Sequence, residues 1–219
     1  MNTLTVRRLK TAAKNFARRF SASPIAALYG VTDGKAVGTF VEHAFFDLLG
    51  ERYSYARGSS ASGIDFPELD IDTKVTSIRQ PQSSCPFREA SQKVYGLGYH
   101  LLVFVYEKTD DQASRTSRLT FQHVIFVSRE RTADYQTTYG LREILRRNGN
   151  KDDVKAFLEE RNLPLDEIGR EGLADRILAE PPHMGYLTIS NALQWRLQYG
   201  RAIEVATKGK ARGMEDLLE

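Results

Sequence analysis

Apolar residues recur at helical spacing near the beginning of the chain, which predicts two amphipathic helices. The first covers residues 4–20, and the second covers residues 35–49 and is ended by Gly50. The apolar stripe of the first helix is Leu9, Ala12, Ala13, Phe16 and Phe20. The stripe of the second is Val37, Phe40, Val41, Ala44, Phe45 and Leu48.

The middle of the chain has the patterns of β-strands. Residues 69–78 alternate, with Ile71, Thr73 and Val75 on one face and Asp72, Lys74 and Thr76 on the other, which predicts a strand with a charged face. Residues 100–106 and 119–127 are nearly continuous apolar runs, typical of central strands that are covered on both faces. The polar stretch 108–117 between these two runs predicts a hairpin.

The remaining segments return to helical spacing. Helices are predicted at 86–97, 133–148, 151–162, 166–179 and 188–206. Helices, then a compact run of strands, then more helices predict an α/β fold with a mixed central sheet and a C-terminal helical layer. We divide the chain into a basic N-terminal helix and linker (1–32), a core (35–130) and a helical C-terminal part (131–219). At 219 residues, all three fit one domain.

Charge is distributed unevenly along the chain. Lysine and arginine number 31 and aspartate and glutamate 28, but residues 1–32 hold six cations and no acid. A basic arm of this kind suits a polyanion such as nucleic acid, and equally suits a solvated helix face. It also resembles a transit peptide, although the helical spacing favours a docked helix. The lone cysteine, Cys85, indicates a reducing compartment, and no apolar run approaches the roughly 20 residues that cross a bilayer.

The chemistry is concentrated between residues 65 and 74. Asp72 and Lys74 leave the same face of the predicted strand about 7 Å apart. Pro67 cannot join a central ladder, so a reversal after Asp65 can return that residue to the side of Asp72. One or two carboxylates with water and a phosphate oxygen are the ligands that Mg²⁺ prefers. A nearby lysine can position a water for attack on phosphorus.

The alternative interpretation is an ordinary charged pair on an exposed strand, because an Asp-x-Lys sequence is common by chance. The neighbouring apolar strands argue against it. A cluster of charges beside a core is unfavourable unless an ion or a partner compensates it.

The segment Asp65-Phe66-Pro67-Glu68-Leu69-Asp70-Ile71-Asp72-Thr73-Lys74 resembles the active site of the PD-(D/E)XK nuclease superfamily, in particular of MutH-like and type II restriction endonucleases. The resemblance implies a restriction-endonuclease-like core. It also implies catalytic roles for Asp65, Asp72 and Lys74, with Glu42 on the preceding helix as a further acid. Asp65, Asp72 and Glu42 would hold Mg²⁺, for which Mn²⁺ substitutes. Asp72 departs from the commoner glutamate, and the small-residue loop 59–63 also resembles that of the family.

Several polar residues are candidates for contacts with double-stranded DNA. Arg79, Gln80, Gln82 and Ser83 directly follow the catalytic strand, and glutamine can pair with adenine through two hydrogen bonds. The same stretch can instead be a turn that caps a helix beginning at Pro86. By resemblance, Lys93 and Tyr186 are two further candidates.

The resemblance implies a Mg²⁺-dependent DNA endonuclease, and we favour a type II restriction enzyme that makes sequence-specific double-strand breaks. Two strands need two active sites, so a homodimer is plausible. The alternatives are a strand-nicking repair endonuclease, a DNA-binding protein that does not cut, and a nuclease that acts on RNA or branched DNA. A restriction role predicts a cognate DNA methyltransferase encoded nearby. It also predicts a cytoplasmic, nucleoid-associated protein in a bacterium or archaeon, with no membrane partner.

Overall fold

A computed structural model describes residues 2–58, 63–84, 88–190, 196–209 and 211–219. The helices are α1 (Val6–Ser21), α2 (Gly34–Gly50), α3 (Gln92–Tyr95), α4 (Tyr135–Arg146), α5 (Lys151–Glu160), α6 (Glu167–Ala179) and α7 (Gly200–Thr207). The strands are β1 (Asn2–Thr3), β2 (Tyr53–Ser54), β3 (Ile71–Ser77), β4 (Gln82–Ser84), β5 (His100–Asp111), β6 (Thr116–Val127), β7 (Thr188–Ile189), β8 (Arg196–Gln198) and β9 (Met214–Asp216).

The main sheet has the order β3-β5-β6-β9. Strand β3 runs parallel to β5, whereas β5 with β6 and β6 with β9 are antiparallel, so the sheet is mixed. The two apolar runs form the inner strands β5 and β6, as predicted, and their hairpin is longer than expected because the strands extend to Asp111 and from Thr116. Strand β3 lies at an end of the sheet, which leaves one of its edges open to other parts of the chain.

Helices cover both faces of this sheet. On one face, α1 and α2 bury aromatic rings against β5 and β6, where Phe16, Phe45, Phe104 and Phe121 form a chain with centroids 5.1–5.6 Å apart. Thr5 caps α1 by accepting a hydrogen bond from the Arg8 backbone N–H. On the other face, α7 packs with β7 and β8. The predicted α/β fold is therefore confirmed.

The C-terminal part is less helical than predicted. Helices α4, α5 and α6 are present and enclose a core of their own with α3. The predicted helix over 188–206 is wrong, because Thr188–Ile189 and Arg196–Gln198 are strands and only Gly200–Thr207 is helical. Pairing with β4, from much earlier in the chain, supplies β8 with the backbone hydrogen bonds that a helix would otherwise make. Residues 191–195 lie outside the described residues.

The predicted helix over 86–97 is also shorter, since its described portion is helical only over Gln92–Tyr95. The side chain of Gln92 accepts hydrogen bonds from the backbone N–H groups of Arg88 and Glu89, which replace helical ones. Gly96, with a φ of +91°, ends the helix. The proposed helix start at Pro86, Cys85 beside it and most of the loop 59–63 lie outside the described residues.

In the part of the chain that the structure describes, no helix is both long enough and apolar enough to cross a membrane.

Candidate active site

A tight reversal places Asp65 beside β3. A 3-10 turn over Pro67–Leu69 is followed by Asp70 in the left-handed region, with a φ of 52°. Phe66 and Ile71 then exchange backbone hydrogen bonds of 2.9 and 3.2 Å. The Asp65 carboxylate consequently reaches the third residue of β3 and accepts a hydrogen bond from the Thr73 backbone N–H at 2.8 Å.

Asp72 and Lys74 form the centre of the site. The Lys74 Nζ lies 2.8 Å from Asp72 Oδ2, and Asp72 is only 3% exposed. The Asp65 carboxylate lies close enough to Asp72 to help raise the pKa of the Asp72 carboxyl group. The structure thus brings together the three residues that the sequence nominated from the spacing of two acids and a lysine.

Glu42 approaches the same place from α2, which packs against β3. Its side chain is half-buried, lines a groove together with Lys74, and interacts electrostatically with Asp65, Lys74 and Asp72. Glu42 therefore faces the site rather than open solvent.

Burial and mutual repulsion disturb the ionisation of these groups. Burial, with a smaller contribution from Asp65, raises the pKa of Glu42 to about 7. Burial also raises the pKa of Asp72 to about 6, although Lys74 opposes this shift. Burial alone would lower the pKa of Lys74, but its acidic neighbours, Asp72 foremost, outweigh burial and raise it. Lys74 is therefore a cation at neutral pH, amid more carboxylate charge than it can balance.

The oxygen donors at this site fit a hard divalent cation. Among the described residues no three acidic, imidazole or thiol side chains are arranged as a complete metal cage. Mg²⁺ does not need one, because one or two carboxylates, waters and a substrate phosphate usually hold it. The Thr73 N–H points off the open edge of β3 towards Asp65, and the Thr73 carbonyl points off the same edge because both groups of a strand residue share a direction. Asp65, Asp72 and this carbonyl could hold the ion.

A polar groove of about 1270 Å³ runs along the open edge of β3. It lies between α2 and the small sheet formed by β4, β8 and β7, and both Glu42 and Lys74 contribute to its wall. The predicted DNA contacts Arg79, Gln80, Gln82 and Ser83 line it as well. These four residues form a turn and the strand β4 rather than only the start of a helix.

Two candidates lie elsewhere. Lys93 is only 2% exposed, and its charged neighbours are Asp134 and Arg161 rather than the acids of the site. Contact between DNA and its ammonium group would require α3 to move. Tyr186 is half-buried, donates a hydrogen bond to the Arg212 carbonyl and does not line the groove.

Sequence reasoning missed other residues of the groove, among them Thr76, Arg196, Lys35 and Lys108. Thr76 could have been found, because it continues the period-two face of Asp72 and Lys74. Arg196 could not, because the segment that contains it was predicted to be helical.

The end strand of a mixed sheet carries Asp72 and Lys74, a reversal returns Asp65 to their side, and Lys74 lines an open groove. Together these features define a nuclease of the PD-(D/E)XK class. Comparison with known proteins narrows this class. The family model described as type II restriction enzyme NspV matches residues 3–216. The type II restriction enzyme NspV of a Nostoc species is 59% identical over 206 residues, which cover 94% of each chain. The chain therefore belongs to the NspV family of type II restriction enzymes, which confirms the predicted class of endodeoxyribonuclease. No solved structure matches the chain.

Proposed function

We propose that this restriction enzyme uses Mg²⁺ to cut both strands of DNA at a specific sequence. The observation that carries the proposal is the convergence of Asp65 and Asp72 around Lys74, which itself lines the groove. Asp65 and Asp72 would be the metal ligands, and Glu42 would assist from α2. Mn²⁺ would substitute, since it favours the same oxygen donors.

Lys74 would position the attacking water or stabilise charge on the phosphate. When bound, Mg²⁺ would neutralise charge on the phosphate and acidify a water. Asp72 holds the Lys74 ammonium group at 2.8 Å and so fixes its direction. Lys74 would then donate a hydrogen bond to the attacking water or to a non-bridging phosphate oxygen, where negative charge develops.

Double-stranded DNA would lie in the groove. Arg79 and Gln80 are exposed there and would contact phosphates or base edges. Ser83 has a second role, because its hydroxyl group is hydrogen-bonded to the Tyr199 hydroxyl at 2.6 Å and so ties β4 to the core.

A homodimer would supply one active site for each strand. An enzyme that cuts a defined sequence also endangers the DNA of its host, so a methyltransferase of matching specificity is the expected companion. Both activities take place where the cell keeps its DNA, and we therefore assign the enzyme to the cytoplasm, near the nucleoid.

Digestion of supercoiled plasmid DNA tests this function. With Mg²⁺ we expect linear fragments whose ends share one sequence, and with excess EDTA we expect no product. Open circles as the final product would favour the strand-nicking alternative. Intact plasmid at every metal concentration, despite binding, would favour the DNA-binding protein that does not cut.

A further inference from the structure

The small sheet beside the groove has two unlike faces. Leu197 and Ile189 point inwards and are buried, and Ser83 on the same face bonds to Tyr199. Because successive strand residues alternate in direction, the neighbours of these residues point outwards. Two rows of polar side chains result. Gln82, Gln198 and Thr188 face each other in the first row, and Ser84 and Arg196 face each other in the second.

Three of the outward side chains have no partner among the residues that the structure describes. Within the described residues, the amides of Gln82 and Gln198 and the guanidinium of Arg196 form no side-chain hydrogen bond or ion pair. Other arginines, such as Arg146 and Arg201, are paired with nearby glutamates. Arg196 is exposed and lines the groove together with Gln82 and Ser84.

The sheet is nonetheless fixed relative to the catalytic strand. The Thr76 hydroxyl, two residues beyond Lys74, accepts the Gln82 backbone N–H at 3.0 Å. The Tyr199 N–H donates to the Pro81 carbonyl at 2.8 Å. The first bond joins β4 to β3 and the second joins the start of β4 to the end of β8, so the small sheet is anchored to the strand that carries Lys74.

We propose that this outward face reads base edges in the major groove, with Arg196 and the pair Gln82–Gln198 as the specificity-determining residues. The inference rests on the proposed function, and it adds β8 to the DNA contacts. Arginine pairs through two hydrogen bonds with guanine, and glutamine pairs in the same way with adenine. The two rows are about 7 Å apart along the strands, which is roughly two base-pair steps of 3.4 Å.

Replacement of Arg196 by lysine separates base reading from phosphate contact. Lysine keeps the charge but lacks the planar fork that guanine matches. The recognised sequence is first obtained by sequencing the ends of DNA cut by the wild-type enzyme. Binding is then measured by fluorescence anisotropy in Ca²⁺, on a duplex that contains this sequence and on a scrambled duplex. The proteins are the wild type, Arg196→Lys, Arg196→Ala and the control Arg146→Ala, whose altered residue lies on α4 outside the groove lining.

We expect Arg196→Lys to bind the scrambled duplex like the wild type and to lose roughly 5- to 150-fold in affinity for the recognised duplex. Arg146→Ala should leave both affinities unchanged. If Arg196→Lys binds both duplexes like the wild type, Arg196 does not read bases and the proposal is overturned. Failure of the wild-type enzyme to cut any defined sequence is a separate result that overturns the proposed function instead.

The glutamine pair is tested by cleavage of a library randomised around the site. Gln198→Ala should relax the preference at one or two positions, whereas Gln122→Ala, an exposed glutamine on β6 and not on the small sheet, should not. An unchanged preference profile for Gln198→Ala, with the wild-type profile intact, would remove the glutamines from the proposal.

Discussion

The carboxylates of Glu42, Asp65 and Asp72 all interact electrostatically with the ammonium group of Lys74. With every group ionised the cluster carries a charge of −2, which a divalent cation would neutralise. Burial makes this excess charge more unfavourable, and it raises the pKa of Glu42 and of Asp72. The excess negative charge of this cluster therefore opposes folding at neutral pH.

A pH dependence of stability follows for the metal-free protein. The pKa of Glu42 is raised from 4.5 to about 7 on folding, so the folded state binds more protons than the unfolded state in that interval. Stability therefore falls as the pH rises from about 4.5 through 7. In EDTA, Glu42→Gln should raise the free energy of unfolding near pH 8 by on the order of 1–2 kcal/mol.

Thermal melts near pH 5 and pH 8 in EDTA measure this effect, and Glu51→Gln, an exposed acid at the end of the same helix, is the control. Equal losses of stability at the higher pH in the wild type and in Glu42→Gln would contradict the account.

Removal of the Lys74 ammonium group separates cutting from binding. Lys74→Ala should slow single-turnover cleavage by roughly 10²- to 10³-fold or more, because a donor aimed at developing charge is lost. Binding of DNA should remain, because the other groove cations are untouched. Lys35→Ala, a groove lysine on α2, should change affinity rather than the cleavage rate. Wild-type cleavage by Lys74→Ala would remove Lys74 from the mechanism.

The connection between β3 and β4 holds the small sheet of β4, β8 and β7 against β3, the strand that carries Asp72 and Lys74. The Thr76 side chain is buried and supplies one of two acceptors for the Gln82 N–H, the other being the Gln80 carbonyl at 2.9 Å. Thr76→Val removes the hydroxyl acceptor, and we expect it to lower the free energy of unfolding by about 1 kcal/mol. Thr76→Ser keeps the hydroxyl group and should lose much less. Equal urea-unfolding curves for the two variants would show that this hydrogen bond does not matter.

Prediction from sequence succeeded where structure is decided locally. Strands β5 and β6 carry long apolar runs and pack under helices on both faces, so their own composition identifies them. Asp65 and Lys74 are also separated by only one turn, and Pro67 indicates the reversal between them. The three central residues of the site could therefore be predicted from a single segment.

Prediction failed where the deciding partner is distant in sequence. Strand β8 has only three residues, and its pairing with β4 crosses more than a hundred positions of the chain. A strand of three residues is too short to show a clear alternation of apolar and polar residues, so the helical spacing of the surrounding residues decided the prediction. The role of Arg196 became visible only once this pairing placed it in the groove.

The positive charges of the basic N-terminal helix and those of the groove have different partners. Lys10 forms an ion pair with Glu215 at 2.9 Å, and Lys14 donates to the Glu219 carbonyl at 2.8 Å. These two lysines of α1 thus hold the C-terminal segment. The apolar face of α1 packs on β6. The groove lining draws its positive charge from other elements, Arg79 and Arg196 among them.

Cutting of both strands by a dimer has a signature in solution. We expect sedimentation at the mass of two chains, and conversion of supercoiled plasmid to linear DNA without accumulation of open circles, because two sites act in one encounter. A monomer that passes through a long-lived open circle would contradict the dimer while leaving the catalytic residues in place.

The most direct measurement compares Asp72→Asn with Asp70→Asn in single-turnover cleavage of the recognised duplex with Mg²⁺. Asp70 is exposed, and asparagine tolerates its left-handed backbone, so this control should cut within about twofold of the wild type. Asp72→Asn removes a proposed metal ligand and should cut roughly 10³-fold more slowly or not at all while still binding DNA. Equal cleavage rates for the two variants would show that the Asp72 carboxylate takes no part in hydrolysis.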